Sequence, residues 1–408
     1  MPEIYDHAGD PVRHGRARVN GIRMHYVTAG QGEPLLLLHG TPKTHYYWYK
    51  LIPLLTEHFT VVAPDLRGFG DTDRPTPEEG YDSRTNADDM AELMTSLGHD
   101  QFHLHGEDRG AEFAYVLAAT RPERVKTLCF AEMLLSGEGL EEWSFFTPDN
   151  VAAQFNLKGV WVWHIPFFWI PHLPEMLITG HEREFWEFWI KAETYNPTAI
   201  TNEAIDEWIS KVKAPGGLRG VLETYRAGLK NARINQELKQ TKISMPILTI
   251  GAPEFFGELV EEQMLKVAEK VDRAEVFQEC GHSLALEAEG RLGVDLAVGG
   301  DARGLLGDVL RQVLTQLVHV RAAGAQHFRG GRVVQQREEQ VLDGDELVAF
   351  LAGLDERHVQ TDFEFLRDHS VSLPFSNYVS SMTHCNGCWC FREYAATCCT
   401  LVDATSRG

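Results

Sequence analysis

Short apolar runs that end at glycine- or proline-rich turns recur along this chain. Residues 34–38, PLLLL, stop at His39-Gly40, and residues 59–63, FTVVA, stop at Pro64-Asp65-Leu66-Arg67-Gly68. Runs of this length without alternation predict strands buried on both faces, as in a parallel sheet. Residues 102–105, 125–130, 246–251 and 275–277 read as further strands, and residues 20–30 alternate, which predicts one strand of a leading hairpin. Residues 47–55, 87–97 and 111–119 read as helices between these runs. Strand alternating with helix gives an α/β architecture with a parallel sheet and right-handed crossovers.

From residue 135 to residue 240 the pattern becomes helical and aromatic, with Trp143, Trp161, Trp163, Trp169, Trp186, Trp189 and Trp208. Strand logic resumes at residue 246. A helical insertion between two halves of a sheet divides the chain into a core at 1–134 and 241–320 and a cap at 135–240. A last helix is expected to cover the sheet after the final strand. Residues 290–303 are rich in glycine and aspartate, so that helix is expected at 305–320, where apolar pairs recur every four residues (Leu305/Leu306, Val309/Leu310, Val313/Leu314, Leu317/Val318).

Composition changes the picture in two ways. The formal net charge of −21 argues against nucleic acid and anionic membranes, whose phosphates call for Lys and Arg. No run reaches the roughly 18 apolar residues of a membrane span, and the polar N-terminus lacks the apolar core of a signal peptide, so a cytoplasmic protein is expected. The seven cysteines are skewed: Cys129 and Cys280 stand apart from five between Cys385 and Cys399. Cys385 and Cys388 have zinc-type spacing, but a zinc site needs four organised ligands and Cys398-Cys399 has no matching spacing. Residues 321–408 therefore read as a C-terminal extension, either disordered or translated past a mis-called exon boundary, and no metal is assigned.

The chemistry gathers at Gly106-Glu107-Asp108-Arg109-Gly110, between a strand and a helix. Small residues flank the centre of such a turn because it is too tight for side chains, and the backbone pushes the central residue into the cleft. With Asp108 at the centre the nucleophile is a carboxylate, which needs no base to activate it at neutral pH. A carboxylate suits displacement at an sp³ carbon, opening an epoxide or expelling a halide and leaving an alkyl ester. His39-Gly40-Thr41-Pro42 follows an earlier strand, and the backbone N–H groups of Thr41 and Arg109 are candidates for an oxyanion hole. His282, in Cys280-Gly281-His282-Ser283 after the last strand, is the candidate base. Its orienting acid is Glu132, directly after the strand at 125–130, or alternatively Glu254.

With HGTP, PDLRGFGDTDRP, GEDRG and CGH in this order, residues 15 to 290 resemble the epoxide hydrolase and haloacetate dehalogenase branch of the α/β-hydrolase family. The resemblance implies an α/β-hydrolase fold with a helical cap, and hydrolysis without a cofactor. Trp163-His164-Ile165-Pro166 and Glu223-Thr224-Tyr225-Arg226 look like the lid segments with which bacterial epoxide hydrolases pair a histidine and a tyrosine. Fluoroacetate dehalogenases bind halide at the same two places. By this resemblance His164 and Tyr225 would meet an epoxide oxygen or a leaving halide.

Two departures separate those subgroups. The dehalogenases follow the nucleophile with two arginines that clamp the substrate carboxylate. Here Arg109 is present, but the second place holds Glu112, and Ile165 stands where they have tryptophan. Glu107 also replaces the histidine common before the nucleophile. The expected partners are a small apolar epoxide and water, with dehalogenation and a non-catalytic binding protein as the alternatives and a homodimer left open.

Overall fold

A computed structural model of the chain describes residues 2–144, 147 and 162–298, and the backbone of 382–385 and 388–391. Eight strands form one sheet: β1 (Arg13–Val19), β2 (Ile22–Ala29), β3 (Glu33–Leu38), β4 (Phe59–Pro64), β5 (Phe102–Glu107), β6 (Val125–Ala131), β7 (Ile247–Gly251) and β8 (Arg273–Val276). Their order across the sheet is β1-β2-β4-β3-β5-β6-β7-β8. The first two pairings, β1 with β2 and β2 with β4, are antiparallel, and all later ones are parallel. Every residue of β5 and of β7 is buried, as the middle of a parallel sheet covered on both faces requires, although β5 carries His103, His105 and Glu107. This is the parallel α/β sheet expected from the strand pattern, in the arrangement of the α/β-hydrolase fold that the resemblance implied.

The helix Arg109–Thr120 follows β5 and is buried from Arg109 to Ala118, which fixes its first turn against the sheet. Asp82 caps the helix Ser83–Ser96 by accepting from the Thr85 N–H. Between β6 and β7 the described chain forms the helices His164–Trp169, Leu173–Ile178, Glu182–Ala192, Asn202–Lys213, Gly217–Arg226 and Gly228–Leu238. Phe168, Trp186 and Trp208, from three of these helices, are fully buried.

One expectation needs correction. Residues 47–55 do not make one helix: they begin inside a 3₁₀ turn, His45–Trp48, and end in a single helical turn, Ile52–Leu55. Thr44 accepts from the Tyr46 N–H and holds the first turn in place, and Pro53 cannot donate a backbone bond that would join the two. A helix also forms at Glu289–Val298, in the stretch rich in glycine, where Leu292 and Leu296 supply a buried i, i+4 pair. Glycine content in this stretch concealed that pair. Residues 305–320 lie outside the described residues.

Two compact units partition the chain, Met1–Gln326 and His327–Gly408. The described part of the second is an antiparallel strand pair, Met382–Cys385 with Cys388–Phe391, in which Cys385 pairs with Cys388. Cys398 and Cys399 lie outside the described residues. No helix among the described residues is long and apolar enough to cross a membrane.

Candidate active site

The turn after β5 is built as tightly as its glycines suggest. Asp108 has φ of 57°, a left-handed conformation costly for a residue with a side chain. A Cβ on Gly106 would collide with the Gly110 carbonyl, and one on Gly110 with the Leu38 carbonyl at the end of β3. The turn is thus pressed between its own helix and the neighbouring strand, and the Asp108 side chain is driven into the cleft.

The Asp108 carboxylate meets the two backbone donors named from the sequence. Thr41 N donates to Oδ2 at 2.9 Å and Arg109 N donates to Oδ1 at 2.7 Å. His282 Nε2 lies 3.5 Å from Asp108 Oδ2, and His282 Nδ1 lies 3.3 Å from Glu132 Oε2. Glu132 is fully buried and also accepts from the Ala252 N–H at 2.5 Å. The structure therefore brings Glu132 to His282; Glu254 is half-buried and reaches neither ring nitrogen.

Electrostatics follow from this line. Burial alone would raise the Asp108 pKa, but the His282 hydrogen bond, its charge, Lys43 and the Thr41 N–H hold it well below the usual carboxylate range. Burial would lower His282, yet its bonds to Asp108 and Glu132 push it up to about 10. Burial raises Glu132.

His164 and Tyr225 line the same small cavity as Asp108 and His282. Their rings meet edge to face with centroids 5.6 Å apart. Burial pushes His164 down to about 3, so its imidazole is neutral at physiological pH, and burial raises Tyr225, which stays a phenol.

The Arg109 side chain lines the cavity and is paired with an acid on its own helix. It donates to Glu112 Oε2 at 2.9 Å and lies 4.5 Å from the Tyr225 ring centroid. Glu112 is fully buried and accepts from Ser136 N, Asn231 Nδ2 and Asn235 Nδ2 as well. Glu107 sits behind the turn, taking hydrogen bonds from the Tyr47 hydroxyl and Leu284 N, with Lys43 Nζ at 4.0 Å. Burial pushes it up to about 7 despite Lys43.

Sequence reasoning missed Glu193. It follows the helix Glu182–Ala192, lines the cavity beside Trp189, and puts Oε1 4.0 Å from His164 Nδ1. Its pKa is pushed up to about 7 by burial, partly offset by His282. The Glu193 carbonyl accepts from His282 N at 2.8 Å, and a Cβ on Gly281 would run into the backbone of residues 193–195. One acid in a charged, aromatic helical stretch carries no local signal of such a place.

Residues 33–158 match the family model described as alpha/beta hydrolase fold. Over 276 residues the chain is 34% identical to the soluble epoxide hydrolase of Corynebacterium sp. (strain C12), covering 66% of this chain and 91% of that one. It is 30% identical over 219 residues to the fluoroacetate dehalogenase of Burkholderia sp, covering 52% of this chain and 67% of that protein. The crystal structure of wild-type Cfl2 from Burkholderia cenocepacia superposes with a TM-score of 0.66 at 33% identity, covering 72% of this chain and 98% of that one. The chain belongs to the α/β-hydrolase family, in the branch of the epoxide hydrolases and haloacetate dehalogenases, and is a hydrolase.

Proposed function

We propose that this hydrolase opens an apolar epoxide to a vicinal diol through an ester on Asp108. The observation that carries this reading is the line Glu132–His282–Asp108 beneath a cavity that His164 and Tyr225 also face. Residues 1–134 and 241–320 act as the core that holds the line, and residues 135–240 as the cap that brings the two donors. The reaction takes place in the cytoplasm and needs no cofactor.

In the first step an Asp108 oxygen attacks one epoxide carbon and the carbon–oxygen bond of the ring breaks. The ring oxygen takes its proton from Tyr225 or His164, both neutral and able to donate. The product is an alkyl ester of Asp108. Esterification removes the carboxylate charge that holds a proton on His282, so the imidazolium returns that proton to the Tyr225 or His164 that gave one up, and the neutral imidazole then takes one from water. Water then attacks the ester carbonyl, and Thr41 N and Arg109 N stabilise the oxyanion, each worth about 10²–10³ in rate. Collapse breaks the ester bond, and the departing alkoxide takes the proton of the new Asp108 carboxyl group, directly or through His282, which releases the diol and restores the carboxylate beside a protonated His282.

Glu112 separates this reading from the dehalogenase one. The arginine that would meet a substrate carboxylate is neutralised by a buried acid, and Glu193 adds a second acid at the cavity. Apolar lining from Leu140, Val162, Ile165 and Trp189 favours an uncharged ligand. The test is to incubate His282→Gln with an aromatic epoxide and with fluoroacetate and measure intact mass. Addition of one epoxide to the protein supports the reading. Adduct formation from fluoroacetate alone transfers the chemistry to the dehalogenase, and no adduct from either makes the fold a binding protein.

A further inference from the structure

Three imidazoles meet around one buried carboxylate at the β1–β2 end of the sheet, and the chemistry above uses none of them. His14 is on β1, His25 on β2, and His45 opens the 3₁₀ turn after the Thr41 loop. Ring centroids are 5.1 Å apart for His14 and His25, 4.8 Å for His25 and His45, and 5.5 Å for His14 and His45. Asp65, fully buried at the end of β4, faces His25 Nδ1 with Oδ2 and His45 Nδ1 with Oδ1, each at 2.8 Å. A carboxylate only accepts, so each ring carries a proton on Nδ1, and its Nε2 is the nitrogen left to hold a metal, which binds the neutral ring. His25 Nε2 faces His14 Nδ1 at 2.9 Å, while no hydrogen bond from a described residue reaches His45 Nε2.

We propose that His14, His25 and His45 bind one divalent transition-metal cation of the zinc type. One nitrogen from each ring lies within 4.8 Å of the other two. Zinc–nitrogen bonds of about 2.0–2.1 Å in a tetrahedron call for nitrogens roughly 3.3 Å apart, and exposed His14 is free to close that gap. A metal-bound histidine typically gives its other N–H to a carboxylate, which is the place Asp65 holds for two rings at once. Imidazole donors select zinc, nickel or copper over magnesium and calcium. Asp71 lies nearby, but Lys211 holds its two oxygens at 2.9 and 3.0 Å, so water completes the coordination. The bound ion ties the leading hairpin to the turn that continues the Thr41 loop, which makes the site a structural staple.

The experiment titrates untagged, metal-stripped full-length protein with Co²⁺ and follows visible absorption and the melting temperature. The expected result is one equivalent bound without a thiolate charge-transfer band, accompanied by a rise in melting temperature. His14→Ala, a change at an exposed position, is expected to weaken binding at least about tenfold and to leave the metal-free melting temperature unchanged. The proposal is overturned if cobalt does not bind, or if His14→Ala binds as tightly as the parent. A thiolate band overturns it too, because it assigns the ion to cysteines such as Cys385 and Cys388.

Discussion

Arg109 and Glu112, three residues apart on the helix that follows Asp108, form a buried ion pair at 2.9 Å with 2% and 0% of their side chains exposed. Four further groups converge there, since Glu112 also receives Ser136, Asn231 and Asn235 while Arg109 lies against Tyr225. Removing one partner strands the other's charge in the interior. Glu112→Ala is therefore expected to lose about 3–5 kcal/mol of stability in urea unfolding. A loss under about 1 kcal/mol would show that the network is not held by this pair.

Glu132→Gln keeps the shape of the acid and removes the charge that orients His282. Ester formation should survive and ester hydrolysis should slow by about 10²–10⁴. Single-turnover kinetics that show both steps slowed equally would disprove the separation of roles.

The pair Asp108–His282 links stability to pH with a definite sign. The folded pKa of His282 is raised, so its contribution is complete below the unfolded value of about 6.5 and is lost as pH climbs through about 10. That of Asp108 is depressed, so its contribution is present above about pH 3.9 and is lost only on strong acidification. The melting-temperature difference between the parent and His282→Gln should shrink from pH 7 to pH 10. A flat difference curve rules out the coupling.

Glu193 helps to hold the proton on His282 through its charge. Glu193→Gln should lower the imidazole's pKa and move the acid limb of the kcat profile to lower pH. An unmoved limb would mean that the two groups do not communicate.

The glycines of the turn and of the helix Glu289–Val298 should respond in opposite directions. Gly110→Ala places a methyl group against the Leu38 carbonyl and is expected to cost about 1–3 kcal/mol or more. Gly290→Ala meets nothing within 4 Å in the first turn of the helix Glu289–Val298 and should gain about 0.5–1 kcal/mol. Paired denaturation curves check both.

Much of the sheet was legible because strands such as β3 and β4 are written as apolar runs that stop at Gly- or Pro-rich turns, and β3 to β7 begin or end within a residue or two of the predicted segments. Asp108 was legible because its turn tolerates only glycine on either side. Glu132 and His282 could be named from their places after strands, since the carboxyl ends of a parallel sheet converge. What sequence could not show is contact between distant segments. Lys43, Tyr47 and Glu107 meet from two separate stretches, and Glu112 finds its asparagines on the helix Gly228–Leu238. The helix at Glu289–Val298 was hidden because Leu292 and Leu296 stand among small and charged neighbours, and its buried face also includes the charged Asp295.

The seam between Gly281-His282 and residues 193–195 carries a lesson for engineering. Grafting a relative's residues 135–240 onto this core to change substrate range would replace one side of that seam. A donor whose chain runs even slightly closer at residues 193–195 would press on Gly281, with no side chain there to yield, and would tilt the imidazole away from Asp108. A successful chimaera therefore has to import the turn at 280–282 together with the segment it leans on, as one transferable cassette.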